Sequence, residues 1–228
     1  MTRAGAHWLL VAALAVSCAD GPSESRGAAD RSRGTASSPP AAPAPTSPTT
    51  TTTSTATAPV EIRLRLERRT TDAATAGFDA VVRATLTDPR GWQRAGFRFV
   101  FAAGAPYAVV LAEAGEVQEL CRPYDVFGRY SCQIGPVVAL NADRWRGATP
   151  EWTGDLAGYR QMLVNHEVGH LLGQHHPDEQ CPAPGLPAPV MAQQSTELDG
   201  CLPNPWPLPH EIERAARHDE PLAPPYAR

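Results

Sequence analysis

The feature that most constrains this chain is the stretch from Asn165 to His176, N-H-E-V-G-H-L-L-G-Q-H-H, which holds the spacing H-E-x-x-H-x-x-G-x-x-H. With this composition the five fixed positions would coincide by chance on the order of 10⁻⁵ times per chain, so the pattern needs a physical reading. Two histidines four apart on a helix, His166 and His170, stand one turn above each other, and both imidazoles reach a single metal ion at about 2.0 Å. A continuous helix would carry His176 too far along the axis. Gly173 can adopt a positive φ, so the helix stops there and the chain brings His176 back to the metal. Three protein ligands leave a fourth position open, the arrangement of catalytic rather than structural zinc. The spacing therefore predicts one catalytic Zn2+ held by His166, His170 and His176, with Glu167 placed to take a proton from the attacking water. His175 adjoins the third ligand and is expected to face solvent or support the site from behind; the alternative is that it replaces His176. His210 and His218 stand among charged residues near the end of the sequence and read as surface side chains.

The helix carrying the motif should run from about Asp155 to Leu172, with Val164, Val168, Leu171 and Leu172 on one face and His166 and His170 roughly opposite. Upstream, Ile62, Leu64 and Leu66 alternate with Arg63, Arg65 and Glu67 as in a half-buried strand, so the folded part begins near Val60. Phe78, Val81, Val82 and Leu86 recur at helical spacing after Thr71 and Asp72, the candidate N-caps, and Pro89 stops that helix. Strands are expected at Phe97 to Phe101, Ala108 to Leu111 and Val137 to Leu140, with another around Tyr130 to Gln133. Beyond Gly173 the chain is Pro-rich and irregular until a short helix from Pro209 that places Ile212 and Ala215 on the core.

Residues 1–18 read as a signal peptide, with Arg3 as the positive end and Trp8 to Val16 as an apolar run too short to span a bilayer. Ala15-Val16-Ser17-Cys18 resembles a bacterial lipobox, which makes Cys18 a candidate for lipidation. Residues 19–59 contain no Val, Ile, Leu, Met, Phe, Trp or Tyr, so they have nothing to bury and form a Ser/Thr/Pro/Ala-rich tether. Of the five cysteines, removing Cys18 leaves Cys121, Cys132, Cys181 and Cys201, an even set suited to an oxidising compartment. Four cysteines allow three pairings, and Cys121 with Cys132 and Cys181 with Cys201 are favoured because they close short loops. Net charge is −4 and all 20 basic residues are Arg, so no broad positive field invites nucleic acid.

The long histidine motif resembles that of the metzincin clan of zinc peptidases. Ala188-Pro189-Val190-Met191 looks like the Met-turn that underlies the metal in that clan, which would make Met191 a supporting residue and not a ligand. These segments, with Val138 to Trp145 and Asn204-Pro205-Trp206-Pro207, are similar to a bacterial family of exported metzincin-like domains of uncharacterised activity. The resemblance implies an α+β zincin fold over residues 60–228: a twisted mixed β-sheet, an active-site helix behind it, and a small irregular C-terminal part bearing a disulfide. Several metzincins have a Tyr two residues after the Met to steady the reacting oxygen. This chain has Gln193 there, and its amide, or that of Gln194, is the candidate donor.

The expected function is hydrolysis of peptide bonds by an exported zinc metallopeptidase with Glu167 as general base. It would be secreted or lipid-anchored to the outer face of a bacterial cell membrane, touching the membrane only through Cys18. The alternatives are a cell-wall peptide amidase and a non-catalytic, zinc-stabilised extracellular binding module.

Overall fold

The computed structural model describes residues 58–223. The signal peptide, Cys18 and nearly all of the tether lie outside the described residues. Five strands form one mixed sheet in the order β2-β1-β3-β5-β4: β1 Val60–Arg68, β2 Phe97–Phe101, β3 Tyr107–Ala112, β4 Cys132–Ile134 and β5 Val137–Asn141. Neighbours among β2, β1, β3 and β5 are parallel, and β4 closes one edge antiparallel to β5. The order of elements is completed by α1 Phe78–Leu86, α2 Ala114–Leu120, α3 Ala142–Gly147, α4 Leu156–Leu171 and α5 Pro209–Ala216.

Parallel strands of one sheet ordinarily need a crossover of a dozen or more residues, yet only five residues carry the chain from β2 across β1 to β3. Staggered registers make this possible. The first half of β1, Val60 to Leu64, pairs with β2, and its second half, Leu64 to Arg68, pairs with β3. β3 therefore starts level with the point where β2 ends. The link is held at β1 by the Ala102 N–H donating to the Leu64 carbonyl at 3.0 Å and by the Arg65 guanidinium donating to the Ala105 and Pro106 carbonyls.

The alternation in β1 has the expected consequence: Ile62 and Leu64 are fully buried while Glu61 and Arg63 face solvent. In β3 every residue is buried because apolar groups cover both faces. Val109 and Leu111 join the main core with α1, α4 and α5, whereas Ala108, Val110 and Ala112 pack towards Val117 of α2. Helices thus cover both faces of a largely parallel sheet, and the arrangement is mixed α/β: the mixed sheet with the histidine helix packed on it is as expected, while the α+β class gives way to α/β.

Two local expectations also change. Asp72 does not cap α1; its carboxylate accepts from the Ala74 N–H of a one-turn 3₁₀ helix, Ala73–Thr75, and α1 begins after Gly77. The strand sought around Tyr130 to Gln133 is Cys132–Ile134, displaced towards the β5 hairpin. The 16-residue α4 starts at its Asp155 cap as read, and it is buried nearly all round from Met162 to Leu171. Both favoured disulfides are present, Cys121–Cys132 and Cys181–Cys201.

Candidate metal centre

α4 places His166 and His170 one turn apart, and Gly173, at φ +81°, ends it. A side chain at Gly173 would also collide with Glu220, whose Cβ lies 2.7 Å from where a Cβ would stand, so both conformation and space require glycine. The turn returns His176 to the two helical rings. His166 Nε2 and His170 Nε2 each stand 3.1 Å from His176 Nε2.

Those three nitrogens cannot all be satisfied by one another. His166 Nδ1 donates to the Val190 carbonyl at 2.8 Å, and His170 Nδ1 donates to the Gln174 carbonyl at 2.8 Å. Each neutral ring then presents a bare lone pair at Nε2. His176 has one proton at most to offer to two facing acceptors, so one 3.1 Å contact sets lone pair against lone pair. A cation at the centre removes the conflict. Two nitrogens about 2.0 Å from a tetrahedral metal lie a little over 3 Å apart, so the cluster fits such an ion. Protonation is opposed as well: burial, then the neighbouring rings, hold His166 well below its ordinary range, and burial pulls His170 to about 4 and lowers His176. The triad is therefore a set of neutral donors that can hold a metal ion.

Glu167 lies beside His166 in sequence and lines the same cleft. It makes no hydrogen bond or ion pair among the described residues, and burial raises its carboxyl to about 8. His175 is exposed at the cleft rim and stands outside the three-ring cluster. His210 and His218 are surface residues away from it; His218 bonds the Ala95 carbonyl at 2.9 Å.

Met191 is fully buried beneath α4. A Cβ at Gly169 would run into the Met191 sulfur and come within 3.0 Å of the Trp92 ring, so the glycine in the middle of the motif makes room for this packing. Gln193 lines the cleft with its side-chain amide making no hydrogen bond among the described residues, while its backbone N–H donates to Gln180 Oε1 at 2.7 Å. Gln194 is excluded as an oxyanion donor: its amide donates to the Pro189 and Asn204 carbonyls and its oxygen accepts the Asn204 N–H.

Sequence reasoning missed the residue that holds this turn. Glu211, fully buried, accepts from the backbone N–H groups of Val190, Met191 and Leu208 at 3.0, 2.9 and 2.8 Å. Its signal was a Glu at the third position of a Pro-initiated helix, where a carboxylate reaches back to cap the first turn. Asn165 was likewise quoted only as part of a motif. Its amide donates to the Pro205 carbonyl at 2.8 Å and its own carbonyl accepts from Trp92 Nε1 at 2.9 Å, which ties α4 to two loops.

The cleft is about 730 Å³ and is bounded by α4, β4, the 121–132 loop and residues 193–196. No curated protein matches the chain. A family match spans residues 40–209, from the tether through β4, the histidine cluster and the Met191 turn to the first residue of α5. By that match the chain belongs to the family described as protein of unknown function (DUF3152).

Proposed function

We propose that this chain is an exported, zinc-dependent metallopeptidase of the zincin type that hydrolyses peptide bonds with Glu167 as general base. The observation that carries the reading is the convergence of three imidazole Nε2 atoms, two of the rings fixed through Nδ1 by backbone carbonyls, next to a buried carboxylate with no partner among the described residues, in an open cleft. Three neutral imidazoles with one side open are the donor set of catalytic zinc. When bound, zinc would act there as a Lewis acid on the scissile carbonyl and on water.

The chain's own groups supply the rest. The Val190 and Gln174 carbonyls fix the rings of His166 and His170, so their Nε2 atoms need no reorientation. Glu167 accepts a proton from the attacking water and returns it to the leaving amine. The Gln193 amide is the candidate donor to the developing oxyanion. β4 is an edge strand whose Cys132 and Gln133 line the cleft, which suits an extended peptide laid beside it. Two disulfides support an oxidising compartment, in keeping with the signal read at residues 1–18 and the lipid anchor read at Cys18.

The test is metal content joined to activity. The purified full chain should carry about one zinc per molecule and cut members of an unbiased peptide library, and a chelator should abolish cutting. Glu167→Gln should retain the metal and lose about 10²- to 10⁴-fold in turnover. A verified zinc-loaded chain with no chelator-sensitive cleavage would refute the peptidase reading.

A further inference from the structure

Arg144, in the short helix α3, lines the same cleft as Glu167 and the three histidines. Its Nη1 donates to the Ala148 carbonyl at 2.8 Å. Its Nε is buried and has no partner, its Nη2 makes no hydrogen bond, and no carboxylate among the described residues pairs with it. The other arginine at the end of α3 behaves differently: Arg146 is surrounded by Asp72, Glu113 and Asp143. A guanidinium that is partly desolvated without an anion is costly. Nε is closed to solvent and Nη1 is committed to Ala148, so Nη2 is the charged donor left for an anion in the cleft.

Tyr159 and Ser195 line the same cleft as Arg144. Tyr159, one turn into α4, is fully buried and its hydroxyl lies 2.9 Å from Ser195 Oγ, in the segment that follows the Met191 turn.

We infer that the free Nη2 of Arg144 binds a carboxylate of the substrate, so that this chain acts on acidic peptides. The carboxylate has two possible sources, an Asp or Glu side chain and a free C-terminus. The inference rests on the peptidase reading for the word substrate, but binding can be measured without turnover.

The probes are fluorescein-labelled hexapeptides that differ only in Glu against Gln at one scanned position, and a neutral hexapeptide with a free against an amidated C-terminus. Anisotropy is read with the full chain carrying Glu167→Gln and loaded with zinc, and cleavage is read with the wild-type chain. One member of a matched pair should bind and be cut about tenfold or more better than its neutral twin. A side-chain preference identifies an acidic residue, and a terminal preference identifies the C-terminus. Arg144→Met should erase that preference while changing the neutral peptide by less than about threefold, and Arg144→Lys should restore only part of it. Carboxylate-dependent binding without cleavage supports the role of Arg144 and counts against the peptidase. Cleavage without any carboxylate preference overturns the role of Arg144 and leaves the peptidase standing. Equal loss on acidic and neutral peptides in Arg144→Met, with near-UV circular dichroism unchanged, also overturns it. If Arg144→Met fails to fold, Arg144→Lys against wild type on the same matched pairs decides, and an unchanged ratio overturns the inference.

Discussion

At Glu167 two demands meet. A general base must be ionised to accept a proton, but burial without a partner raises this carboxyl from 4.5 to about 8, so in the metal-free chain it stays protonated at neutral pH. The sign of the pH effect follows. A carboxyl whose folded value lies above its unfolded value favours the folded state fully below about pH 4.5, and that contribution is lost as pH rises to about 8. The slope is at most about 1.4 kcal/mol per pH unit. The depressed histidines work the other way, since unfolding lets them take up protons as pH falls below 6.5. Glu167→Gln removes only the first effect. The metal-free variant should therefore gain stability over the metal-free wild type, little at pH 5 and increasingly towards pH 8, in urea melts at each pH. With zinc bound, the nearby positive charge favours the carboxylate, and the two pH profiles should converge. A constant difference across the range would show that Glu167 does not carry this proton.

Among the elements, α4 was legible because its motif joins a cap, a metal-ligand spacing and a terminating glycine, each a short-range signal. β1, β2 and β5 were legible through alternation or short apolar runs. What was not legible depends on contacts between distant residues. α2 is only seven residues long and becomes a helix against the hidden face of β3, a face that Ala108 and Ala112 do not announce. α3 follows β5 without a gap because Asn141 ends the strand and caps the helix through the Asp143 N–H, so the strand read at Val137 to Leu140 gave no sign of the short helix after it. The Met191 turn was read from its Met, yet its geometry is set by Glu211 on α5, 20 residues away. Glu211 accepts three buried N–H groups through two oxygens, and Gln would place an NH₂ against at least one of those donors. Glu211→Gln should destabilise the chain by about 2 kcal/mol and weaken metal retention, because Val190, whose carbonyl fixes His166, belongs to the same turn. Thermal unfolding with a competitive zinc chelator measures both. Unchanged zinc affinity alongside lost stability would separate the turn from the metal site.

On the scale of the whole described chain, the site closes a structure that the sheet alone does not hold. Residues 174–208 contain no helix or regular strand, only an isolated bridge between Pro187 and Leu202. The three-histidine cluster, the Val190 carbonyl on His166, the Glu211 carboxylate, the Asn165 amide on Pro205 and the Tyr159 hydroxyl at Ser195 fasten them to the helices, and the Cys181–Cys201 disulfide closes them internally. On the far side of the turn, residues after α5 pass over Gly173, and the Ala223 N–H donates to the Leu171 carbonyl at 3.1 Å, so the end of α4 is covered by chain and not by solvent. The sheet and α4 have apolar burial of their own, but this segment has few apolar anchors beyond Ala188, Val190, Met191 and Ala192. Its stability should be separable from that of the rest. Closing a loop of this length contributes about 3 kcal/mol, and zinc at a thousand times its dissociation constant contributes about 4 kcal/mol. Removing either tie should leave residues 174–208 ordered on average but faster in amide exchange. Removing both, with Cys181→Ser and Cys201→Ser in the presence of chelator, should release the segment while β1, β3 and β5 keep their protection. Hydrogen exchange read by mass spectrometry resolves the two regions. Simultaneous loss of protection in segment and sheet would mean that the metal centre is part of the global folding unit and not a clasp upon it.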